Sequence, residues 1–256
     1  MAQNPSPVNI DLILAVVALV SVLIGIVFQY TLEGVRTRKG KREQWQTTAL
    51  EWAANGRKNS LRRADLRKAD LRGVDLASTE NSKGADLSWA DLTRADLTEA
   101  DLTGAELTRA DLIRADLFRA NLTGANLTKA DLSKADLTGA ELTGAKLTMA
   151  NLTGACLFNA KLTGAKLTIA NLTGADLTEA WLYKANLTGA DLTEADLTGA
   201  ELTGADLFNA KLTGANLTRA SHNDQTIWPK GFDPVAAGAI NEYTTWASSA
   251  APEVNP

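Results

Sequence analysis

A chain of 256 residues with 26 basic and 30 acidic side chains carries a net charge of −4, too mild and too mixed to mark a nucleic-acid binder or an acidic tail. Aromatic residues make up 5% and hydrophobic ones 45%, mostly Ala and Leu, so a jigsaw core of mixed large side chains is excluded and any core must be stacked from one small unit. One cysteine, Cys156, and one histidine, His222, exclude intramolecular disulfides, Cys/His zinc sites and dithiol redox chemistry by count.

After a polar tail over 1–11, the run from Leu12 to Tyr30 (LILAVVALVSVLIGIVFQY) has no charge and is long enough to cross a bilayer core as a helix. A transmembrane helix is expected over 12–31. A cleaved signal peptide would need a basic start and a small-x-small exit, and residues 1–11 hold no Lys or Arg. A buried core helix would need a surrounding domain, which the sequence does not contain. Arg36, Arg38, Lys39, Lys41 and Arg42 come after the run, against Asp11 before it, so the N-terminus is expected outside and the rest in the cytoplasm.

Residues 32–60 read as a basic juxtamembrane linker and a capping helix. In Arg42–Asn55, Trp45, Ala49, Trp52 and Ala53 fall on one helical face, and Gly56 supplies a stop. Trp45 and Trp52 would plug the first open edge of the segment that begins at Leu61; lying on the membrane surface is the alternative.

From Leu61 a five-residue unit takes over: Ala, then Asp or Asn, Leu, usually Thr, and a variable residue, as in ADLTR and ANLTG. Leucines fall at 61, 66, 71 and 76, and then every fifth residue from Leu87 to Leu217. Ala77–Gly84 breaks the register, and a loop or bulge is expected there. Apolar residues spaced by two and three would wind round every side of a helix, so helix is rejected. In an extended segment Ala and Leu point inward together and the residue between them points out. One short strand per unit and a corner between units then wrap the chain into stacked coils, an all-β solenoid with leucine ladders inside.

These residues resemble the pentapeptide repeat family, with the pattern A(D/N)LXX, over 61–220. The resemblance implies a right-handed quadrilateral β-helix with four units per coil. Folding the sequence at twenty residues agrees, since it aligns Gly104, Gly124, Gly144, Gly164 and Gly204, broken by Lys184.

With the inward positions fixed, function must be written on outward ones. Asp91, Asp111 and Asp131 would stack, with Arg94, Arg114 and Lys134 offsetting their repulsion. Trp89, Met149 and Ile169 fall on one face, the last two beside Lys146 and Lys166; Phe118 and Phe158 fall on another near Cys156; Trp181 and Tyr183 fall on the glycine-rich one. These seven apolar residues are the candidate partner contacts, against a reading in which they are scattered and without meaning. Nothing provides a phosphate loop, a convergent metal site or a pocketed acid, so no enzyme activity, cofactor, metal or small-molecule substrate is expected.

After Ala220 the residues 221–240 should fold as a cap, burying Ile227, Trp228 and Phe232 on the last leucines, with 241–256 a disordered tail. The expected function is a membrane-anchored, non-enzymatic scaffold for a protein partner, held in the bilayer through 12–31. Two alternatives stand beside it. One is a passive spacer. The other, implied by the resemblance, is a mimic of duplex DNA that binds a topoisomerase, which the interleaved basic residues argue against; no nucleic acid partner is expected. The resemblance allows a thylakoid membrane as well as a plasma membrane.

Overall fold

The computed structural model describes residues 61–64, 66–78 and 84–241. The expected transmembrane helix, the capping helix with Trp45 and Trp52, and residues 242–256 of the expected tail lie outside the described residues. Among the described residues no helix is long and apolar enough to cross a membrane.

The unit Ala190–Glu194 shows why this sequence coils. Its five backbone N–H groups all find acceptors. Ala190 donates to the Leu187 carbonyl at 2.9 Å, closing the preceding corner. Asp191 donates to Ala170 one coil before, while Leu192 and Glu194 donate to Lys211 and Thr213 one coil after, at 2.8–2.9 Å. The fifth, Thr193, donates to Oδ1 of Asp191 at 3.1 Å. The preference for Asp or Asn before the leucine thereby acquires a cause: a short side chain with an oxygen satisfies the one amide that the neighbouring coils leave over.

Apart from the interrupted one after Leu76, each described corner is a four-residue turn from Leu to the next Ala, or to Val74. Its third residue is left-handed, with φ between 52° and 70° from Arg63 to Arg219, as type II geometry demands. Glycine suits this place, yet among the described residues eighteen corners hold others, including Arg, Lys, Trp and Ile. Each costs about 1–2 kcal/mol. Burying the unit's leucine is worth about 1.5–3 kcal/mol, so the stacked core tolerates them.

Single outward residues bridge in parallel to the residue twenty positions on, from Asp86↔Glu106 to Asp196↔Asn216. Four units therefore make one coil. Pairing is confined to one bridge per unit, shorter than a strand, because the corner comes two residues later. The inward leucines from Leu71 to Leu207 are at most 1% exposed, and with the alanines they form one continuous core. At the interrupted corner Ala85 still donates to Leu76 at 3.0 Å, so the extra residues leave the core path intact and lengthen the bridges Asp70↔Asp96 and Asp75↔Asp101 to 26 residues. Gly84 is obligatory there, since a Cβ would lie 2.8 Å from the Gly104 carbonyl oxygen.

Beyond Ala220 the coil path continues before it closes. Strand β1 (Ser221–His222) pairs in parallel with β2 (Ile240–Asn241). Ser221 bridges Glu201, which puts His222 at the inward station that Leu202 holds one coil earlier. Ile227 bridges Asp206 at a spacing of 21 residues, so Trp228 takes the inward station of Leu207. This corrects the expectation for Ile227. It stands at the outward Asp station and is 50% exposed, while Trp228 and Phe232 pack on the core. Asn241, expected to begin a disordered tail, pairs with His222.

Candidate interaction surface

The four units of a coil define four faces, labelled in chain order by their outward residues: face 1 by Asp86, face 2 by Asp91, face 3 by Asp96 and face 4 by Asp101, each repeating every twenty residues. The variable residue of each unit marks the corner that leads to the next face.

Met149 and Ile169 stack in adjacent coils on the corner after face 1, beside the bridged pair Lys146↔Lys166. Trp89 shares that corner but is separated from Met149 by Arg109 and Lys129. The Arg109 guanidinium lies 4.5 Å from the Trp89 ring centroid. Phe118 and Phe158 share face 3 with Thr138 between them, and the Cys156 sulfur is 3.2 Å from the Thr138 hydroxyl. Trp181 and Tyr183 belong to one unit of face 4, with the Lys184 ammonium 4.8 Å from the Tyr183 ring. Five of the seven are well exposed; Phe118 and Tyr183 are half-buried. Phe208, also exposed, was not among the expected contacts, although it replaces Thr in the unit as Phe158 does.

Ile169 is distinguished by its backbone as well as its exposure. A β-branched side chain disfavours φ > 0 more than most, yet Ile169 has φ 58° and is 56% exposed. The corner carries strain there without gaining a buried contact. The outward ladders show the same economy elsewhere: Lys161 bonds Glu141, and Lys211 bonds Asp191 at 2.9 Å.

The expected offset between Asp111 and the nearby cations is not made. Among the described residues Arg94, Arg114 and Lys134 form no ion pair. Burial, and after it repulsion from Asp91 and Asp131, raises the Asp111 carboxyl above its ordinary range. The corner turn sets the cations apart from the Asp column. Asp191 behaves oppositely: the Thr193 hydroxyl and then Lys211 hold its pKa at about 2.

Among the described residues no cluster of His, Cys, Asp and Glu could hold a metal ion. Among the described residues the arrangement displays side chains outward from one continuous apolar core.

A family model for pentapeptide repeats matches residues 54–79, 83–117, 120–157, 155–193 and 185–221. The chain is similar to HetL, a pentapeptide repeat protein involved in heterocyst differentiation regulation in the cyanobacterium Nostoc sp. strain PCC 7120, with 35% identity over 65% of this chain and 90% of that one, at a TM-score of 0.33. It is similar to a pentapeptide repeat protein of the Arabidopsis thaliana thylakoid lumen, with 40% identity over 37% of this chain and 66% of the other and a TM-score of 0.36. QnrB1, a plasmid-mediated fluoroquinolone resistance protein, is 18% identical over 73% of this chain and 90% of its own, at a TM-score of 0.48. No curated protein sequence matches the chain.

Proposed function

From the premise that this chain belongs to the pentapeptide repeat family, and so forms a right-handed β-helix, we propose that it is a non-enzymatic scaffold whose rigid outward columns bind a protein partner at a membrane. The observation that carries this reading is Ile169. An exposed, β-branched residue held left-handed at a corner where glycine would relieve the strain buries nothing in the fold and offers its side chain to a partner. Met149 extends the apolar strip by one coil, and Lys146 and Lys166 flank it, which favours a partner with an apolar ridge beside acidic groups.

Membrane attachment rests on the uncharged run Leu12–Tyr30 and the five cations over 36–42. In this reading the repeats lie on the cytoplasmic side of a plasma or thylakoid membrane.

Photo-crosslinking in intact membranes tests the scaffold, with probes at Ile169, Phe158 and Trp181 and a control at Glu179. Capture of one protein by the Ile169 probe and not by the control is expected. Equal or absent capture at all four positions would leave the passive spacer as the better account.

A further inference from the structure

Coiling the chain in fours sorts its charges in a way that the net charge hides. Face 2 lies between two corners. The corner before it carries Arg63, Trp89, Arg109 and Lys129, and the corner after it Lys68, Arg94, Arg114 and Lys134, each stacked coil on coil by bonds such as Arg94 N–H to the Ile113 carbonyl. The seven corner cations are all exposed. Against them stand Asp91, Asp111 and Asp131, with Arg67 3.4 Å from Asp91.

Two of the three carboxylates are partly engaged by the backbone. Asp91 and Asp131 turn Oδ1 back to the backbone amides of Thr93 and Ser133 at 3.0 and 2.9 Å, while Asp111 stays exposed, its carboxyl raised by desolvation and by its two neighbours. Arg94, Arg114 and Lys134 form no ion pair among the described residues. A groove of about 370 Å³ runs along them, with Ile113 and Ser133 in its wall. One coil beyond, the same corners carry Met149 and Gly154, so the basic face ends within the part of the rod nearest in sequence to the cations of residues 36–42.

We propose that face 2 of the first four coils docks on an anionic bilayer surface, its corner cations meeting phosphate-bearing headgroups and Trp89 lying at the interfacial level. Two parallel rows of cations, repeating at about 4.8 Å, match a planar anionic surface; a single linear polyanion would engage one row. Long Arg and Lys stems reach past the short Asp midline while covering apolar surface, and Trp, Arg and Lys are the side chains that settle at bilayer interfaces. The proposal rests on the membrane attachment above for the nearness of the bilayer.

The full chain, with Cys156→Ser and Ser133→Cys carrying a fluorophore, is reconstituted into nanodiscs of phosphatidylcholine alone or mixed with phosphatidylglycerol, with a headgroup-attached quencher. Thr163→Cys on face 4 is the control. Quenching at residue 133 in the anionic discs alone is expected. The variant Arg94→Asn, Arg114→Asn, Lys134→Asn should weaken docking by about fivefold per cation, or about a hundredfold in all. These corners tolerate the change, since Asn159 and Asn209 already occupy such a corner. Equal quenching in both lipids, equal quenching at residues 133 and 163, or docking unchanged in the triple variant would overturn the proposal. Attachment is read separately, by resistance of the full chain in phosphatidylcholine vesicles to alkaline carbonate. If the chain is extracted, docking is still decided by whether it floats with added anionic vesicles and not with neutral ones.

Discussion

The indole of Trp228 meets the imidazole of His222 edge-on, with ring centroids 5.4 Å apart and planes at 87°, inside the coil that closes the solenoid. Phe232 stacks against the same indole, with ring centroids 5.4 Å apart. His222 occupies a leucine station, is 5% exposed, and neither ring nitrogen finds a hydrogen-bond partner among the described residues. An unsatisfied buried polar group costs about 1–3 kcal/mol, whereas an aromatic pair returns about 0.5–1.5 kcal/mol. The imbalance favours replacement. His222→Leu should stabilise the cap by about 1 kcal/mol, raising the melting temperature by about 2–4 °C in calorimetry. A lower melting temperature would mean that the contact with Trp228 outweighs the two nitrogens.

Asp101 tests the accounting of amides. Its Oδ1 accepts from the Thr103 N–H at 3.0 Å and from the Thr103 hydroxyl at 2.6 Å. Asp101→Ala removes both and should destabilise by about 1–2 kcal/mol, with faster hydrogen exchange at the Thr103 amide. Asp101→Asn keeps the acceptor and should stay within about 0.5 kcal/mol of the parent. Equal losses in the two variants would assign the effect to charge instead.

The inward half of this fold is legible because Ala and Leu repeat without exception from Ala85 to Leu207, and an alternation of that kind admits only an extended, coiling chain. The outward half is less so. That Asp or Asn caps the amide two residues on depends on side-chain direction at a corner, which spacing does not supply. Alignment at twenty residues puts Arg94, Arg114 and Lys134 near the Asp column, but only the turn geometry keeps them from pairing with it. Ile227 points out and Trp228 in because one additional residue enters between the Asp206 and Ile227 stations, and no composition rule marks that residue.

Two carboxylates on face 2 should give opposite responses to acid. The pKa of Asp191 is held at about 2 by the Thr193 hydroxyl and then Lys211, below its ordinary value of about 3.9. Its stabilising effect is therefore complete above the ordinary value and is lost as pH falls toward 2. Asp191→Asn should flatten the decline in melting temperature between pH 4 and 2. Asp111 is raised by burial and by Asp91 and Asp131, so ionising it costs stability as pH rises through its folded value. Asp111→Asn should stabilise at neutral pH by about 0.2–1 kcal/mol, the usual effect of removing stacked like charges, and leave the acid limb steeper than the gain at pH 7 would imply. A neutral-pH gain from Asp191→Asn would contradict this assignment.

Ile169 joins stability to function in one residue. At φ 58° it pays the left-handed penalty with an exposed side chain, and a Cβ placed at Gly189 one coil on would sit only 3.6 Å from its Cγ1, so it lies against the next corner without being enclosed by it. Ile169→Gly should relieve about 1–2 kcal/mol of backbone strain, offset by about 0.5–1 kcal/mol from the greater freedom of the unfolded chain. The net is a small gain or no change in denaturant midpoint. The same variant should abolish capture of a partner by a probe at Met149, because the apolar strip loses its more exposed half. Gain of stability together with loss of capture would mark the strain as the cost of a binding surface. Unchanged capture would remove Ile169 from that surface and leave the left-handed isoleucine with no account in the fold.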